Sequence, residues 1–304
     1  MPPHARKAAA LRSLDGLSVG DAFGECFFSI ASSDLSLQHH LSTRTLPNHS
    51  WHWTDDTAMA VCILEVLGRC GWIDQDDLAQ TFARRYAADD RRGYGGTAHG
   101  ILIAIGAGQP WQEVAPAALG GMGSMGNGGA MRAAPLGAFF AADVPQLVEQ
   151  ARLSAEVTHA HEEGQAGAVA AALAAGFLAT HPSPFGNDFR DAFFDFVLRH
   201  TPDGLTRAGI AQAADLPATF DLETAVSALG NGSKLTAPDT VPFCLWCVGR
   251  STGDFEDAMW ATVSAGGDMD TNCAIVGGIL AASPQVQVPT IWIARREPLP
   301  AISM

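Results

Sequence analysis

The chain has 304 residues, of which 47% are hydrophobic, with a formal net charge of −14 at pH 7 and a sequence pI near 5.0. This length and composition allow a large buried core, whereas the negative charge excludes the basic surface that binds nucleic acid or anionic membranes. We therefore expect neither as a partner, although a metal ion or a backbone-lined loop can still give an acidic protein an anion site.

Apolar residues recur at helical spacing along nearly the whole chain, and strand-like alternation is almost absent. The helix ends carry suitable residues: Asp74 can cap a helix, Pro145 suits a first turn, and Gly71 and Gly108 follow last turns. The pattern predicts an all-α fold. The predicted helices cover residues 7–28, 55–70, 75–88, 97–107, 111–119, 129–141, 145–157, 163–180, 187–200, 221–229, 240–250, 254–264 and 270–283.

No low-complexity linker divides these helices, so we expect one compact multi-helix domain over residues 1–304. The tail 286–293 has some strand-like residues, but Pro289 within it argues against a strand. The expected loops lie at 30–53, 89–96, 120–128, 181–187 and 230–239.

The six cysteines are scattered, mostly among apolar residues, which favours reduced, buried thiols over a disulfide framework. The N-terminus lacks the pattern of a signal peptide. The longest run of small and apolar residues, 166–179, is too short to cross a bilayer. These features predict a cytoplasmic protein, and we expect it to be a monomer.

The first predicted helix has glycines at every fourth position, Gly16, Gly20 and Gly24, which share one face and permit close approach of another helix. Asp21 and Glu25 lie on the adjacent face. Because two like charges at this spacing repel mildly, we expect at least one of them to face a functional site.

Two short acidic clusters stand at predicted helix starts, more than two hundred residues apart. Helix capping by Thr54 and the helix dipole would explain either cluster alone. Two such clusters in one chain favour a metal site, because four carboxylates brought together would need about two divalent cations to neutralise them. Oxygen ligands of this kind suit Mg²⁺ or Mn²⁺ rather than zinc. The candidate ligands are Thr54, Asp55, Asp56, Asp268, Asp270 and Thr271.

The segment 120–129 is rich in glycine and leads into a predicted helix. Successive amide groups at such a position form an anion-binding concavity, although a flexible loop with a helix cap is an equally open alternative. A second glycine turn, 93–96, also precedes a helix. His159 and His161 are two residues apart, so they do not share a helix face as a zinc pair would. We expect His159 to bind a ligand by hydrogen bonding or stacking.

Taken in order, several of these segments resemble the ADP-ribosylglycohydrolase family. The matching segments are Gly20-Asp21-Ala22-Phe23-Gly24, Trp53-Thr54-Asp55-Asp56-Thr57, Gly93-Tyr94-Gly95, Gly123-Ser124-Met125-Gly126-Asn127-Gly128, Ala130-Met131-Arg132, Thr158-His159 and Gly266-Gly267-Asp268-Met269-Asp270-Thr271. They extend over nearly the whole chain, and their order is specific to the family.

The resemblance implies an all-α fold with two Mg²⁺ ions (or Mn²⁺) held by the six candidate ligands above. It implies that an ADP-ribosylated protein or another ADP-ribose derivative is the substrate. The catalytic candidates are Asp55, Asp56 and Glu25. The implied substrate-binding residues are Gly93, Gly95, Gly96, Gly123, Ser124, Met125, Gly126, Asn127, Gly128 and His159.

Phe28 departs from the family pattern, because several members carry a glutamate at this position. Glu25 is the nearest acid and is the expected substitute. The departure favours the branch that hydrolyses the N-glycosidic bond of ADP-ribosyl-arginine over the serine-linked or polymer-cleaving branch. The alternatives are hydrolysis of O-linked (serine) or small-molecule ADP-ribose derivatives, and a non-catalytic, crystallin-like role.

Overall fold

The helices that the periodicity predicts pack around one hydrophobic core in the computed structural model. The structure describes residues 1–30, 34–181, 185 and 188–304. Within these ranges the chain forms sixteen α-helices and one 3₁₀ helix, with no strand. The all-α prediction is therefore confirmed. The helices are α1 (Pro3–Ile30), α2 (Asp34–Thr43), α3 (Asp55–Cys70), α4 (Gln75–Ala88), α5 (Gly96–Gly106), α6 (Trp111–Gly121), the 3₁₀ helix (Asn127–Gly129), α7 (Ala134–Phe140), α8 (Val144–Glu156), α9 (Glu162–Thr180), α10 (Phe189–His200), α11 (Leu205–Asp215), α12 (Leu222–Leu229), α13 (Ala237–Arg250), α14 (Phe255–Ser264), α15 (Met269–Ala282) and α16 (Thr290–Arg295).

Helices α2, α11 and α16 were not predicted. Helix α2 lies inside the expected loop 30–53 and was missed because its largely polar sequence gives a weak periodic signal. Its Leu37 and Leu41 pack against the core. Helix α16 starts directly after Pro289, at a position where proline is compatible with a helix. Most of the expected loop 181–187 lies outside the described residues.

The predicted helix 129–141 is shorter in the structure. The glycines at its start form a 3₁₀ turn, and α7 begins only at Ala134. Helix α6 leaves helical geometry at its end, where Leu119 and Gly120 have positive φ values of 54° and 73°. Both departures lie in or next to the glycine-rich segment 120–129, where the backbone entropy cost of a regular helix is high.

Helix α1 packs against α15 through the three glycines that share one face. A methyl group on Gly16 or Gly20 would overlap backbone atoms of Gly277 or Cys273, and Gly24 lies against Met269 in the same way. The two backbones can approach this closely only because these positions have no Cβ. The predicted close approach is thus present, and its partner is the helix that carries the second acidic cluster.

An aromatic cluster supports the other side of α1. Phe23 lies 4.6 Å from Trp292 and 5.4 Å from Trp51, measured between ring centroids, and all three side chains are fully buried. Trp51 is held further by a backbone bridge to Arg296. These contacts fix the chain segment that enters α3 and its acidic cluster.

All six cysteines are free and none forms a disulfide, as predicted. Among the residues that the structure describes, no helix is long and apolar enough to span a membrane.

Substitution of Gly20 by alanine should destabilise the protein by about 1–3 kcal/mol or more, because the added methyl would displace the α15 backbone. Chemical denaturation of the variant measures the effect. Gly100 is the matched control: it lies in α5 with open space around it, so Gly100→Ala should change stability by less than about 1 kcal/mol. Equal effects of the two substitutions would contradict the packing argument.

Candidate active site

Asp21 ties helix α1 to the start of α3. Its carboxylate is completely buried and accepts hydrogen bonds from the backbone N–H groups of Thr54, at 3.0 Å, and Thr57, at 3.1 Å. The hydroxyl groups of both threonines donate to the same carboxylate, at 2.9 Å and 2.5 Å. These donors occupy both oxygens, so Asp21 fixes the N-terminus of α3 in place.

The start of α3 carries the first acidic cluster. Thr54 is the N-cap, and its Oγ1 accepts a bond from the Asp56 N–H at 3.3 Å, so the cap does not use the carboxylates. Asp56 is 1% exposed and lies against Thr271, whose hydroxyl donates to Asp56 Oδ1 at 3.3 Å. This bond joins the two acidic clusters, which are 215 positions apart in sequence.

The start of α15 carries the second acidic cluster. Gly266 and Gly267 have positive φ values of 64° and 70°, and they turn the chain into the helix. Asp268 occupies the N-cap position but makes no capping bond, and its Oδ2 instead accepts from Asn127 Nδ2 at 2.6 Å. Asp270 Oδ1 is buried with no hydrogen-bond partner among the described residues. Helix capping therefore does not account for these carboxylates.

Both clusters meet with Asp21 in one buried acidic group. One carboxylate oxygen of each of Asp21, Asp56 and Asp270 lies within 4.8 Å of the other two. Burial raises the pKa of Asp21 to about 6 and, together with the charge of Asp21, raises the pKa of Asp55 to about 7. Burial and the neighbouring carboxylates raise the pKa of Asp56 and Asp270, and burial raises that of Asp268. Such a group could hold a divalent cation.

A cavity of about 240 Å³ opens beside this group. Its acidic wall consists of Asp55, Asp268, Asp270 and Thr271. The cavity adjoins a second one of about 530 Å³ along Gly96 and Thr97, which gives room for an elongated ligand. The other walls include most of the predicted substrate-binding residues, namely Gly93, Gly95, Gly96, Ser124, Gly126, Asn127, Gly128 and His159.

Several predicted site residues do not line this cavity. Thr54 and Asp56 belong to the buried acidic group, while Gly123 and Met125 shape the glycine loop from outside the cavity wall. Gly123 needs its positive φ of 72°, and a Cβ there would lie 2.8 Å from the backbone nitrogen of His161. Glu25 lines another cavity, of about 310 Å³, which shares Gly93 with the first one.

Several residues of the site were not among the predicted ones: Asp21 belongs to the acidic group, and the cavity is also lined by Met59, Thr97, Ala98, Met131, Arg132 and Leu235. Asp21 stood in a recognised motif, but spacing alone could not show whether it or Glu25 joined the acidic group. Arg132 also stood in a motif, and it lines the cavity while being completely buried. Leu235 reaches the cavity from the loop before α13, with a positive φ of 55°, and no sequence signal placed it there.

The fold and the site together define the class of this protein: it is all-helical and has a cavity lined by carboxylates. A family model described as ADP-ribosylglycohydrolase matches residues 2–300. The chain belongs to the ADP-ribosylglycohydrolase family, which supports a hydrolase that acts on ADP-ribosylated substrates.

Similar proteins agree with this assignment. The chain is 30% identical to "ADP-ribosylhydrolase ARH3" of Homo sapiens, over 92% of this chain and 86% of the human protein. It is 28% identical to an uncharacterized protein of Archaeoglobus fulgidus, over 91% of this chain and 88% of that protein. A solved structure titled "ADP-ribosylglycohydrolase-related protein complex" superposes with a TM-score of 0.63 at 25% identity, over 97% of this chain and 94% of that one.

In the absence of metal, the melting temperature should fall as the pH rises from about 5 to about 8. The raised pKa values of Asp21 and Asp55 mean that the folded state binds protons more tightly than the unfolded state does. Their contribution to stability is complete below the ordinary aspartate pKa and is lost as the pH passes about 6 to 7.

Thermal denaturation in EDTA across this range measures the effect. Asp55→Asn should flatten the pH dependence, whereas Asp195→Asn, an exposed control, should leave it unchanged. A wild-type melting temperature that rises with pH in EDTA would contradict the electrostatic account.

Proposed function

We propose that this protein is a divalent-metal-dependent hydrolase that cleaves the glycosidic bond between ADP-ribose and a modified side chain. The observation that carries the proposal is the buried acidic group at a cavity that is also lined by two glycine turns. Carboxylates suit a metal that binds ribose hydroxyls, and glycine turns suit a diphosphate that must approach the backbone.

The donor set fits two Mg²⁺ or Mn²⁺ ions. It includes four carboxylates, those of Asp55, Asp56, Asp268 and Asp270. Without metal, their burial and mutual repulsion raise their pKa values, so a bound cation would relieve an unfavourable charge. The unpartnered Asp270 oxygen is a ready ligand atom. Thr54 and Thr271 add the remaining oxygen ligands.

Asp21 is better suited to holding the N-terminus of α3 than to contacting a metal, because both of its oxygens already accept hydrogen bonds. When bound, the metals would supply Lewis-acid and templating chemistry at the ribose hydroxyls.

We assign the activation of water to Asp55. Its carboxylate lines the cavity, whereas Asp56 is buried in the acidic group and Glu25 borders the adjoining cavity. Proton acceptance by Asp55 would let water attack the anomeric carbon as the C–N bond breaks, with an oxocarbenium-like transition state. The electron pair of that bond would leave with the side-chain nitrogen, so that a guanidinium adduct departs as neutral guanidine and then takes up a proton from solvent. Glu25 remains the second candidate, since its cavity shares Gly93 with the cavity of Asp55 and is also lined by Thr54, which bonds to Asp56.

Arginine-linked ADP-ribose is the proposed substrate, and serine-linked ADP-ribose is the alternative. Phe28 occupies the family's glutamate position and is 42% exposed, so that position contributes no carboxylate to the site. The family branch without this glutamate would hydrolyse the N-glycosidic bond between ADP-ribose and the guanidinium group of arginine.

Millimolar Mg²⁺ or Mn²⁺ should raise the melting temperature above its value in EDTA. A cation at 100 times its dissociation constant stabilises the folded state by about 2.7 kcal/mol. Asp270→Asn should lose most of this stabilisation, while the charge-matched surface variant Asp195→Asn should keep it. Identical melting curves of the wild type with and without the cation would refute the metal site.

Incubation with Mg²⁺ and separate arginine- and serine-linked ADP-ribosyl peptides should release ADP-ribose from the arginine peptide. Asp55→Asn should lower kcat by about 10²-fold or more, because a general base typically contributes that much. Glu25→Gln should have a smaller effect, and Asp195→Asn should have none.

Release from the serine peptide alone would favour the O-linked alternative. A larger loss in Glu25→Gln than in Asp55→Asn would transfer the role of base to Glu25. No release from either peptide by folded, metal-loaded protein would overturn the proposed activity.

A further inference from the structure

Arg132 is a buried cation without a carboxylate partner. It is completely buried and, among the described residues, forms no ion pair. Its Nη2 donates to the carbonyl oxygen of Ser154 at 3.0 Å and to Thr158 Oγ1 at 2.8 Å. The guanidinium also lies 4.6 Å above the ring of Phe82. Burial of an unpaired cation is costly, so we expect the buried guanidinium of Arg132 to have a function that offsets this cost.

The bond from Arg132 dictates the direction of the next bond. A guanidinium can only donate, so the Thr158 hydroxyl oxygen must accept from it. The hydroxyl keeps one hydrogen to donate, and His159 Nδ1 lies 2.7 Å away. No other acceptor for this hydroxyl is present among the described residues. If Nδ1 carried the proton, both groups would point a hydrogen at the other and the hydroxyl hydrogen of Thr158, which is 1% exposed, would have no acceptor. The cost of that unpaired buried donor favours an unprotonated Nδ1, with the proton of the neutral ring on Nε2.

The environment of His159 opposes a second proton. The side chain is 6% exposed, and burial followed by the charge of Arg132 lowers the pKa of His159 to about 3. The ring is consequently neutral over the physiological range. A neutral ring with Nδ1 occupied as an acceptor has one remaining function, which is to donate from Nε2.

Nε2 faces the glycine loop of the candidate active site. A Cβ added to Gly128 would lie 3.0 Å from His159 Nε2, and one added to Gly126 would lie 3.2 Å from it. His159 and both glycines line the same cavity. The absence of side chains at these two positions therefore leaves Nε2 open to a ligand.

We propose that Arg132 and Thr158 are positioning residues that lock His159 in its Nε2–H tautomer, as a neutral donor to an oxygen atom of the cavity's ligand. The identity of that ligand as ADP-ribose rests on the proposed function, whereas the tautomer does not. The assignment also removes His159 from the candidates for the base, because neither ring nitrogen is free to accept a proton from water.

The test combines nitrogen-15 NMR of the histidine rings with calorimetric titration of ADP-ribose into the Mg²⁺-loaded protein. His159→Gln identifies the His159 signal among the ten histidines. We expect the wild type at neutral pH to show Nε2 protonated and Nδ1 unprotonated. Thr158→Ser, which keeps the hydroxyl, should retain this signature and the affinity for ADP-ribose.

Thr158→Val removes the hydroxyl at nearly constant shape. It should give a mixture of tautomers and weaken ADP-ribose binding by about five- to tenfold, the value of one hydrogen bond. The KM for the peptide substrate should rise by a similar factor while kcat changes little. Thr201→Val is the matched control, since Thr201 is a buried threonine whose hydroxyl bonds to a helix carbonyl oxygen.

A wild-type ring protonated on Nδ1, or on both nitrogens, would overturn the proposal without any variant being needed. Unchanged tautomer and affinity in a folded Thr158→Val protein would overturn it as well. If the wild type shows the Nε2–H tautomer but binds no ADP-ribose, the positioning role stands and the proposed function fails.

Discussion

The close contact between α1 and α15 is the constraint on which the candidate site depends. Glycines at every fourth position of α1 let its backbone touch that of α15, and Asp21 directly follows Gly20 at this contact. A larger residue at Gly24 would press on the backbone of Met269 and Asp270. The separation that brings Asp21 and Asp270 into one acidic group is therefore fixed by the absence of three side chains.

Asp21 connects the α1–α15 contact to a third helix, α3, through hydrogen bonds. Its buried carboxylate collects two backbone and two hydroxyl donors from Thr54 and Thr57, so α3 must begin where α1 places it. A buried carboxylate is expensive unless it is hydrogen-bonded, and here the bonds also set the position of Asp55 and Asp56. Two residues adjacent in the sequence thus take different positions: Asp55 faces the cavity, and Asp56 faces the buried group.

The sequence was sufficient for the fold class, most helix positions and the two acidic clusters, because periodicity and cap residues are local signals. It was insufficient where the answer depended on a distant partner. Their spacing puts Asp21 and Glu25 on the same face of α1, so the sequence does not tell which of them joins the acidic group. Only the position of α3, whose first turn bonds to Asp21, distinguishes the two. Likewise, the largely polar sequence of α2 is helical where Leu37 and Leu41 pack against the core, and Leu235 lines the cavity from the loop before α13.

The distribution of charge explains why the site can combine carboxylates with an anionic ligand. The chain carries a net charge of −14, and the acidic wall of the cavity adds to the repulsion of a diphosphate. The same cavity is lined by glycine backbone, the imidazole of His159 and the fully buried Arg132. A guanidinium free to reach the cavity floor could pair with Asp55 and compete with the proposed cations.

Held by Ser154 and Thr158, Arg132 instead acts through His159, which offers a hydrogen atom without carrying a charge. The charge of Arg132 also partly offsets the burial that raises the pKa of Asp55. The cavity can therefore offer carboxylates to cations, and glycine backbone with His159 to phosphate or hydroxyl oxygens, because the guanidinium of Arg132 is held by Ser154 and Thr158 rather than paired with Asp55.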